Sequence, residues 1–334
     1  MVAIIIVAIF IFIFYFLASF NTLKVEHRLI FISFFLATTF ILRFLINPSI
    51  NKDYFGYFEL FDYTIPSTFL SFLLEEPYLD LVYFFFSLFT NDKATIFLGI
   101  YWLNLLIVNA FFVWILTRKD VQMWKKVVLF SLFYFLFAFV LIRNSPAYIL
   151  FACYFYYSYR NIKFNLVLFT PLMHISSIGV LVTYLHKKKN YYFFLLLFSI
   201  VGILVLFFIL PSFLNFVSLE LVVSKVNTYS AEMQEVSVFH KVYFFVISSI
   251  VITTAFVYKK KIFHPIMMTT ILFYYISFLI NPVVGFRIVP YLFFSILFFN
   301  YDGYYNTSYT RVFNIICFLM FPYFLYTLID THYL

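Results

Sequence analysis

The stretch ATIFLGIYWLNLLIVNAFFVWILT, residues 94–117, contains no charged side chain. As an α-helix, which rises about 1.5 Å per residue, it is long enough to cross the roughly 30 Å of hydrocarbon in a lipid bilayer. Similar apolar runs recur along the whole chain, in which 65% of the 334 residues are hydrophobic and only 11% are charged. The composition excludes a soluble domain with a polar surface and predicts a polytopic membrane protein.

The apolar runs predict an all-α fold, because a helix satisfies its backbone hydrogen bonds internally and lipid offers no partners. We predict a helical bundle of about ten transmembrane helices, forming one integral membrane domain over residues 1–334. The predicted ranges are 2–20, 29–46, 94–117, 125–142, 145–159, 190–210, 241–258, 265–280, 285–300 and 312–329. The first run lacks the basic start and cleavage site of a signal peptide, so we expect it to be retained.

The charges predict which loops face the cytoplasm. The chain has 22 Lys and Arg against 14 Asp and Glu, and the basic residues lie in short loops between apolar runs, as the positive-inside rule describes. These loops hold Lys24, His27 and Arg28, then Arg118, Lys119, Lys125 and Lys126, then Arg160 and Lys163, then residues 187–189 and 259–261. Two larger loops, residues 47–77 and 211–240, are predicted to face outward. Since the basic residues form no continuous face, we expect no nucleic-acid partner.

Two apolar segments do not fit a simple span. Residues 78–90 are too few to cross the bilayer comfortably, and we predict a re-entrant or interfacial helix on the outer face. Residues 164–185 have basic residues on both sides, which predicts two half-helices that enter and leave on one side, broken at Pro171 and His174.

Polar residues within apolar surroundings mark the stretch LIRNSPAYILFACYFYYSYRNIKFNLVLFTPLMHISS, residues 141–177. Arg143 and Asn144 follow an apolar run, and His174 lies inside another. A charge at membrane depth is costly, so Arg143 is a candidate functional residue. The alternative is an arginine that only extends to the lipid headgroups. For His174 the alternative is a buried structural histidine.

The predicted topology brings a set of polar groups to the outer face: Asp53, Tyr54, Tyr57, Glu75, Glu76, Arg143, Asn144, Arg287 and His174. Arginine can hold a pyrophosphate through two parallel hydrogen bonds and keeps its charge. A carboxylate or histidine nearby can act as a general base for a sugar hydroxyl, and the aromatic rings offer stacking faces. Motifs of nucleotide-binding, hydrolase and metalloprotease sites are missing, the histidines are scattered, and Cys153 and Cys317 lie in apolar runs. We therefore predict no metal and no cofactor.

The order of several short motifs resembles a known family. Asp53-Tyr54-x-x-Tyr57 is followed by Glu76-Pro77, then Arg143-Asn144, then His174-x-Ser176, and finally Gly285-x-Arg287. This order, over about residues 45–290, resembles the EpsG-like, Wzy-type membrane polymerases of bacterial O-antigen and exopolysaccharide.

The resemblance implies a glycosyltransferase of the bacterial inner membrane that polymerises undecaprenyl-pyrophosphate-linked repeat units at the periplasmic face. It implies Arg143 and Arg287 on the pyrophosphate, His174 or Asp53 as the base, and Glu76 in acceptor positioning. Asn144, Tyr54 and Tyr57 would contact substrate. The expected partners are lipid-linked glycans and membrane lipids, with a chain-length regulator and a flippase.

Three other functions are compatible with the sequence. Ligation of finished O-antigen to lipid A core would use the same arginines on the same leaving group. A flippase for lipid-linked oligosaccharides should show internal repeats, of which we find none. A membrane O-acyltransferase would need a polar partner beside His174.

Overall fold

The computed structural model describes residues 2–51, 54–59, 77–174, 177–193, 195, 197, 241–242, 244–249, 251–252, 264–280, 282–299, 311, 314–315 and 317–332. Helices form the regular structure of these residues, and no strand occurs among them. The all-α prediction is therefore confirmed for this part of the chain. The chain divides into two compact units: unit 1 is Met1–Ser177 with Leu297–Leu334, and unit 2 is Ile178–Ile296.

The α-helices are numbered here in chain order. They are α1 (Val2–Ala18), α2 (Val25–Leu45), α3 (Tyr54–Phe58), α4 (Tyr78–Ser87), α5 (Lys93–Thr117), α6 (Met123–Phe135), α7 (Ser145–Ser158), α8 (Ser177–Leu181), α9 (Pro265–Ile280), α10 (Pro282–Leu297) and α11 (Met320–His332). A π-helical segment, Leu136–Val140, continues α6. Short 3-10 helices occupy Pro48–Ile50, Asn165–Leu172, Val182–Leu185 and Cys317–Leu319.

Three helices of the described part are long and apolar enough to cross a membrane: α2, α5, and α6 with its π-helical continuation. The apolar helices α1, α4, α9, α10 and α11 are shorter. Most of the span predicted at 190–210 and eight of the 18 residues of the span predicted at 241–258 lie outside the described residues. The whole of the predicted loop 211–240 lies outside them. Length and composition thus support a membrane protein, and the number of about ten spans stays a prediction.

Several predicted boundaries were wrong. Helix α2 begins at Val25, so His27 and Arg28 lie in its first turn and not in a loop. The run predicted as one α-helix over 125–142 changes to π-helical geometry at Leu136. Gly285 lies inside α10, which begins at Pro282. The last predicted helix extends to His332.

Aromatic rings hold the helices of unit 1 together. Tyr15 of α1 stacks on Phe130 of α6 with ring centroids 3.8 Å apart. Phe324 of α11 stacks on Phe130 at 5.1 Å, and Phe112 of α5 meets it edge-on at 5.4 Å. Each such pair contributes about 0.5–1.5 kcal/mol beyond its buried area. The abundant phenylalanine therefore fixes the relative positions of four helices.

Three of the basic loops meet at one end of unit 1. Asn21 donates to the carbonyl of Val121 at 2.9 Å and accepts from Lys126 at 2.7 Å. Arg160 pairs with Asp120. Burial raises the pKa of Asp120, but the hydrogen bonds and charge of Arg160 outweigh it and leave that pKa below its ordinary value. This common end agrees with the charge pattern, and the side of the membrane that it faces stays a prediction.

The two segments that did not fit a simple span are short helices. Helix α4 has 10 residues, about 15 Å of length, which is half of the bilayer core. The 3-10 helix Asn165–Leu172 contains Pro171, and it is separated from α8 by a break that includes His174. These segments are too short to span, and their re-entrant or interfacial placement stays a prediction.

Within unit 2, α9 and α10 form a close antiparallel pair. Thr270 and Ser295 share a hydrogen bond of 2.7 Å between their hydroxyls. A Cβ atom at Gly285 would lie 2.8 Å from the Cα of Phe278, closer than carbon atoms can approach. The glycine therefore permits the contact between the two helices.

We expect Gly285→Ala to destabilise the protein by about 1–3 kcal/mol, because its methyl group meets backbone atoms that cannot move aside. Gly179→Ala is the matched control in the same unit, since its Cβ would lie 3.5 Å from the ring of Phe273, an ordinary contact. Thermal unfolding of the purified protein in detergent measures both. Equal midpoints for the two variants would contradict the close packing at Gly285.

Candidate functional site

A break in the helical backbone forms the centre of the candidate site. The amide of Leu141 donates to the carbonyl of Leu136 at 2.9 Å, and residues 142–144 form a turn before α7 begins at Ser145. The turns of the π-helical segment Leu136–Val140 are wider than those of an α-helix, so its backbone carbonyls do not make the ordinary α-helical hydrogen bonds. Such carbonyls need other partners when they are buried.

Two asparagine side chains supply those partners. The amide of Asn104 donates to the carbonyls of Phe137 at 2.7 Å and Ala138 at 3.3 Å. The amide of Asn51 donates to the carbonyls of Phe139 at 2.7 Å and Val140 at 3.3 Å. Four consecutive carbonyls of the π-helical segment are thereby satisfied from outside their own helix.

Asn104 also connects the segment to the start of α7. The hydroxyl of Ser145 donates to Oδ1 of Asn104 at 2.6 Å. Both residues are buried, so water does not compete for these bonds. One side chain of α5 thus joins both sides of the break.

Arg143 lies in the break, against an aromatic cluster. Its guanidinium carbon is 5.8 Å from the ring centroid of Tyr57, a cation–π distance. The cluster consists of Tyr57, Leu79, Ile96, Phe97, Ile100, Tyr101 and Ile142, with Tyr54 and Phe58 packed on it. The structure therefore brings together Arg143, Tyr57 and Tyr54, which were predicted from widely separated parts of the sequence.

Tyr54 occupies the edge of this cluster. Its ring stacks on Phe58 with centroids 4.9 Å apart. Burial raises the pKa of Tyr54, and the charge of Glu59 raises it further. Its hydroxyl is therefore neutral at physiological pH and can donate a hydrogen bond.

Asn144 presents an unused acceptor beside Arg143. Only 7% of the residue is exposed, and it precedes α7 without a side-chain capping bond. No described group donates a hydrogen bond to its buried Oδ1. A buried acceptor without a donor is costly, which makes this atom a candidate contact for a ligand hydroxyl or amide.

His174 lies near the same break. The residue is 1% exposed, and its ring centroid is 6.1 Å from that of Tyr148 in α7. Tyr148 in turn stacks on Phe137 of the π-helical segment at 5.4 Å. A single tyrosine ring therefore separates His174 from the break.

The remaining four predicted site residues are outside the described part of unit 1. Asp53, Glu75 and Glu76 lie outside the described residues. Arg287 is a half-buried residue of α10 in unit 2.

Sequence reasoning missed four polar residues around the site. Arg43, in the last turn of α2, lies over the rings of Tyr101 and Phe139 at 5.0 and 5.5 Å. Asp80 of α4 is a buried carboxylate next to Leu79 of the aromatic cluster. Asn51 and Asn104 are the other two. Each of them is a polar residue in or beside an apolar run, the same signal that identified Arg143 and His174.

No family model, curated protein or solved structure matches the chain. Among the described residues, no three His, Cys, Asp or Glu side chains come together as a metal site. Guanidinium groups, an amide oxygen, tyrosine rings and a histidine, gathered at one break, can bind an anion that carries hydroxyl groups.

Proposed function

We propose that the protein is a membrane glycosyltransferase that joins undecaprenyl-pyrophosphate-linked repeat units into O-antigen or exopolysaccharide. The observation that carries the proposal is Arg143, placed at a helix break against Tyr57, with Asn144 and His174 nearby. A lipid-linked sugar pyrophosphate offers an anion, hydroxyl groups and ring faces, which these residues can bind.

In the proposed reaction, a hydroxyl of the acceptor sugar attacks the anomeric carbon of the growing chain. A carbon–oxygen bond forms there as the bond to pyrophosphate breaks, and undecaprenyl pyrophosphate leaves with the electron pair. Arg143 and Arg287 stabilise the charge of this leaving group. His174 or Asp53 takes the proton of the attacking hydroxyl, and Glu76 positions the acceptor. The arginines neutralise the leaving group, so the proposal requires no metal ion.

The proposal places the protein in the bacterial inner membrane with about ten spans. The site then faces the periplasm, where lipid-linked repeat units are joined, and the basic end of unit 1 faces the cytoplasm. A chain-length regulator and a flippase are the proposed partners.

Deletion of the gene in its native host, followed by electrophoresis of the lipopolysaccharide, tests this function. We expect the ladder of O-antigen lengths to collapse to core plus one repeat unit, and re-expression of the gene to restore it. An unchanged ladder in the deletion strain would refute a role as O-antigen polymerase. Complete loss of O-antigen would favour ligation or transport of the lipid-linked unit.

A further inference from the structure

Arg43 carries a buried charge that no acidic group of the described chain balances. The residue is 3% exposed, and the structure records one hydrogen bond from its guanidinium, to the carbonyl of Ile46 at 3.2 Å. No described group accepts a hydrogen bond from its Nε. The ion pair of Arg160 with Asp120 lies at the other end of unit 1 and does not involve Arg43.

A buried cation without a counter-charge is costly, and cation–π contacts offset only part of that cost. Tyr101 and Phe139 lie at 5.0 and 5.5 Å from the guanidinium carbon. These rings orient the guanidinium but supply no negative charge. An anionic ligand would supply it.

The surroundings of Arg43 belong to the candidate site. Tyr101 is a member of the aromatic cluster that also contains Tyr57, which lies under Arg143. Asn51 donates both to the hydroxyl of Tyr101 at 3.3 Å and to the carbonyl of Phe139 at 2.7 Å. The two arginines therefore contact one continuous set of rings.

The same turn of α2 has an exposed apolar face. Phe44 is 79% exposed, and Ile41 and Leu45 are also exposed. The ring of Phe44 lies 4.8 Å from that of Trp102 on α5. A ligand with a phosphate at Arg43 would have a hydrocarbon surface beside it for a lipid chain.

We infer that Arg43 and Arg143 together bind the diphosphate of a polyprenyl lipid, with Arg43 on the lipid-side phosphate and the chain along Ile41, Phe44 and Leu45. Arginine suits this position because its planar fork can grip phosphate oxygens while its face stays on the rings. The identity of the lipid rests on the proposed function, whereas the need for an anion at Arg43 does not.

Binding of geranylgeranyl pyrophosphate to the purified protein in lipid nanodiscs tests the inference, with Trp102 fluorescence or calorimetry as the readout. We expect Arg43→Met to weaken binding about tenfold or more, and Arg43→Lys to weaken it less, since the charge remains but the fork is lost. Arg28→Met is the matched control. Arg28 is a second buried arginine on α2, it donates to the carbonyls of Phe20 and Asn21 at 2.9 and 3.4 Å, and its loss should leave affinity unchanged.

Thermal unfolding without ligand provides a second measurement. Removal of an unbalanced buried charge should leave the midpoint of Arg43→Met equal to or above that of the wild type. Added geranylgeranyl pyrophosphate should raise the midpoint of the wild type more than that of Arg43→Met. If Arg43→Met does not fold, Arg43→Lys carries the binding comparison.

Three results would overturn the inference: no binding by the wild type, wild-type affinity in the folded Arg43 variant, or equal losses in the Arg43 and Arg28 variants. The proposed function can fail separately. Arginine-dependent binding together with an unchanged ladder in the deletion strain would refute polymerisation of O-antigen and leave the lipid diphosphate site standing.

Discussion

Replacement of Arg143 by alanine is expected to stop chain extension while the protein still accumulates to its normal level. The guanidinium lies in a turn and is half-buried, so its loss removes little from the helix core. The proposed reaction loses a group that stabilises the leaving pyrophosphate, and removal of one such group costs about a hundredfold or more in rate. Electrophoresis of the lipopolysaccharide should show core with one repeat unit, and immunoblotting should show a normal protein level.

Arg287→Lys should give the same result, because lysine lacks the bidentate fork of arginine.

Arg118→Ala is the matched control for Arg143→Ala. Arg118 also lies over a tyrosine ring, 5.5 Å from the centroid of Tyr156, but it belongs to the basic end of unit 1. Its variant should keep the wild-type ladder. A wild-type ladder from Arg143→Ala would identify Arg143 as an anchor at the headgroups and remove the central residue of the proposed mechanism.

Asn104→Ala is expected to be the most destabilising substitution around the site. It removes the donor to the carbonyls of Phe137 and Ala138 and the acceptor for Ser145. Each buried polar group left without a partner costs about 1–3 kcal/mol, although membrane interiors give values near the low end. We expect a total loss of about 3 kcal/mol, measured by thermal or denaturant unfolding in detergent.

Ser145→Ala separates the two functions of Asn104. It removes one hydrogen bond and leaves both carbonyls of the π-helical segment satisfied, so it should cost about 1 kcal/mol. If the two variants were equally stable, capping of the carbonyls would contribute nothing and the break would need another explanation.

The sequence predicted the helical architecture and part of the site. Uncharged runs such as residues 94–117 allow only a helix in lipid, and α5 follows that prediction within a residue. Arg143 was identified because it follows an apolar run where a charge is conspicuous. Tyr57 was identified because its spacing from Asp53 resembles a family motif.

The rest of the site depends on tertiary contacts. The π-helical segment, LFAFV, contains neither proline nor glycine, so its geometry arises from the amides that reach it from elsewhere in the fold. Asn104 is not conspicuous in the uncharged run 94–117, because asparagine carries no charge. Arg43 ends an ordinary apolar helix, where a basic residue usually interacts with the terminal carbonyls. Its burial follows from Tyr101 and Phe139, which lie far along the chain.

The chain order of the two asparagines has a consequence for biogenesis. Without the two asparagines, the carbonyls of Phe137, Ala138, Phe139 and Val140 would each cost several kcal/mol in bare lipid, so this segment cannot enter the bilayer favourably by itself. Asn51 and Asn104 both precede it in the chain and are already synthesised when it leaves the ribosome. The nascent protein thus carries the two donor asparagines into the membrane before the carbonyls that accept from them. A rearranged gene that encoded α6 ahead of α5 would lose this order of insertion.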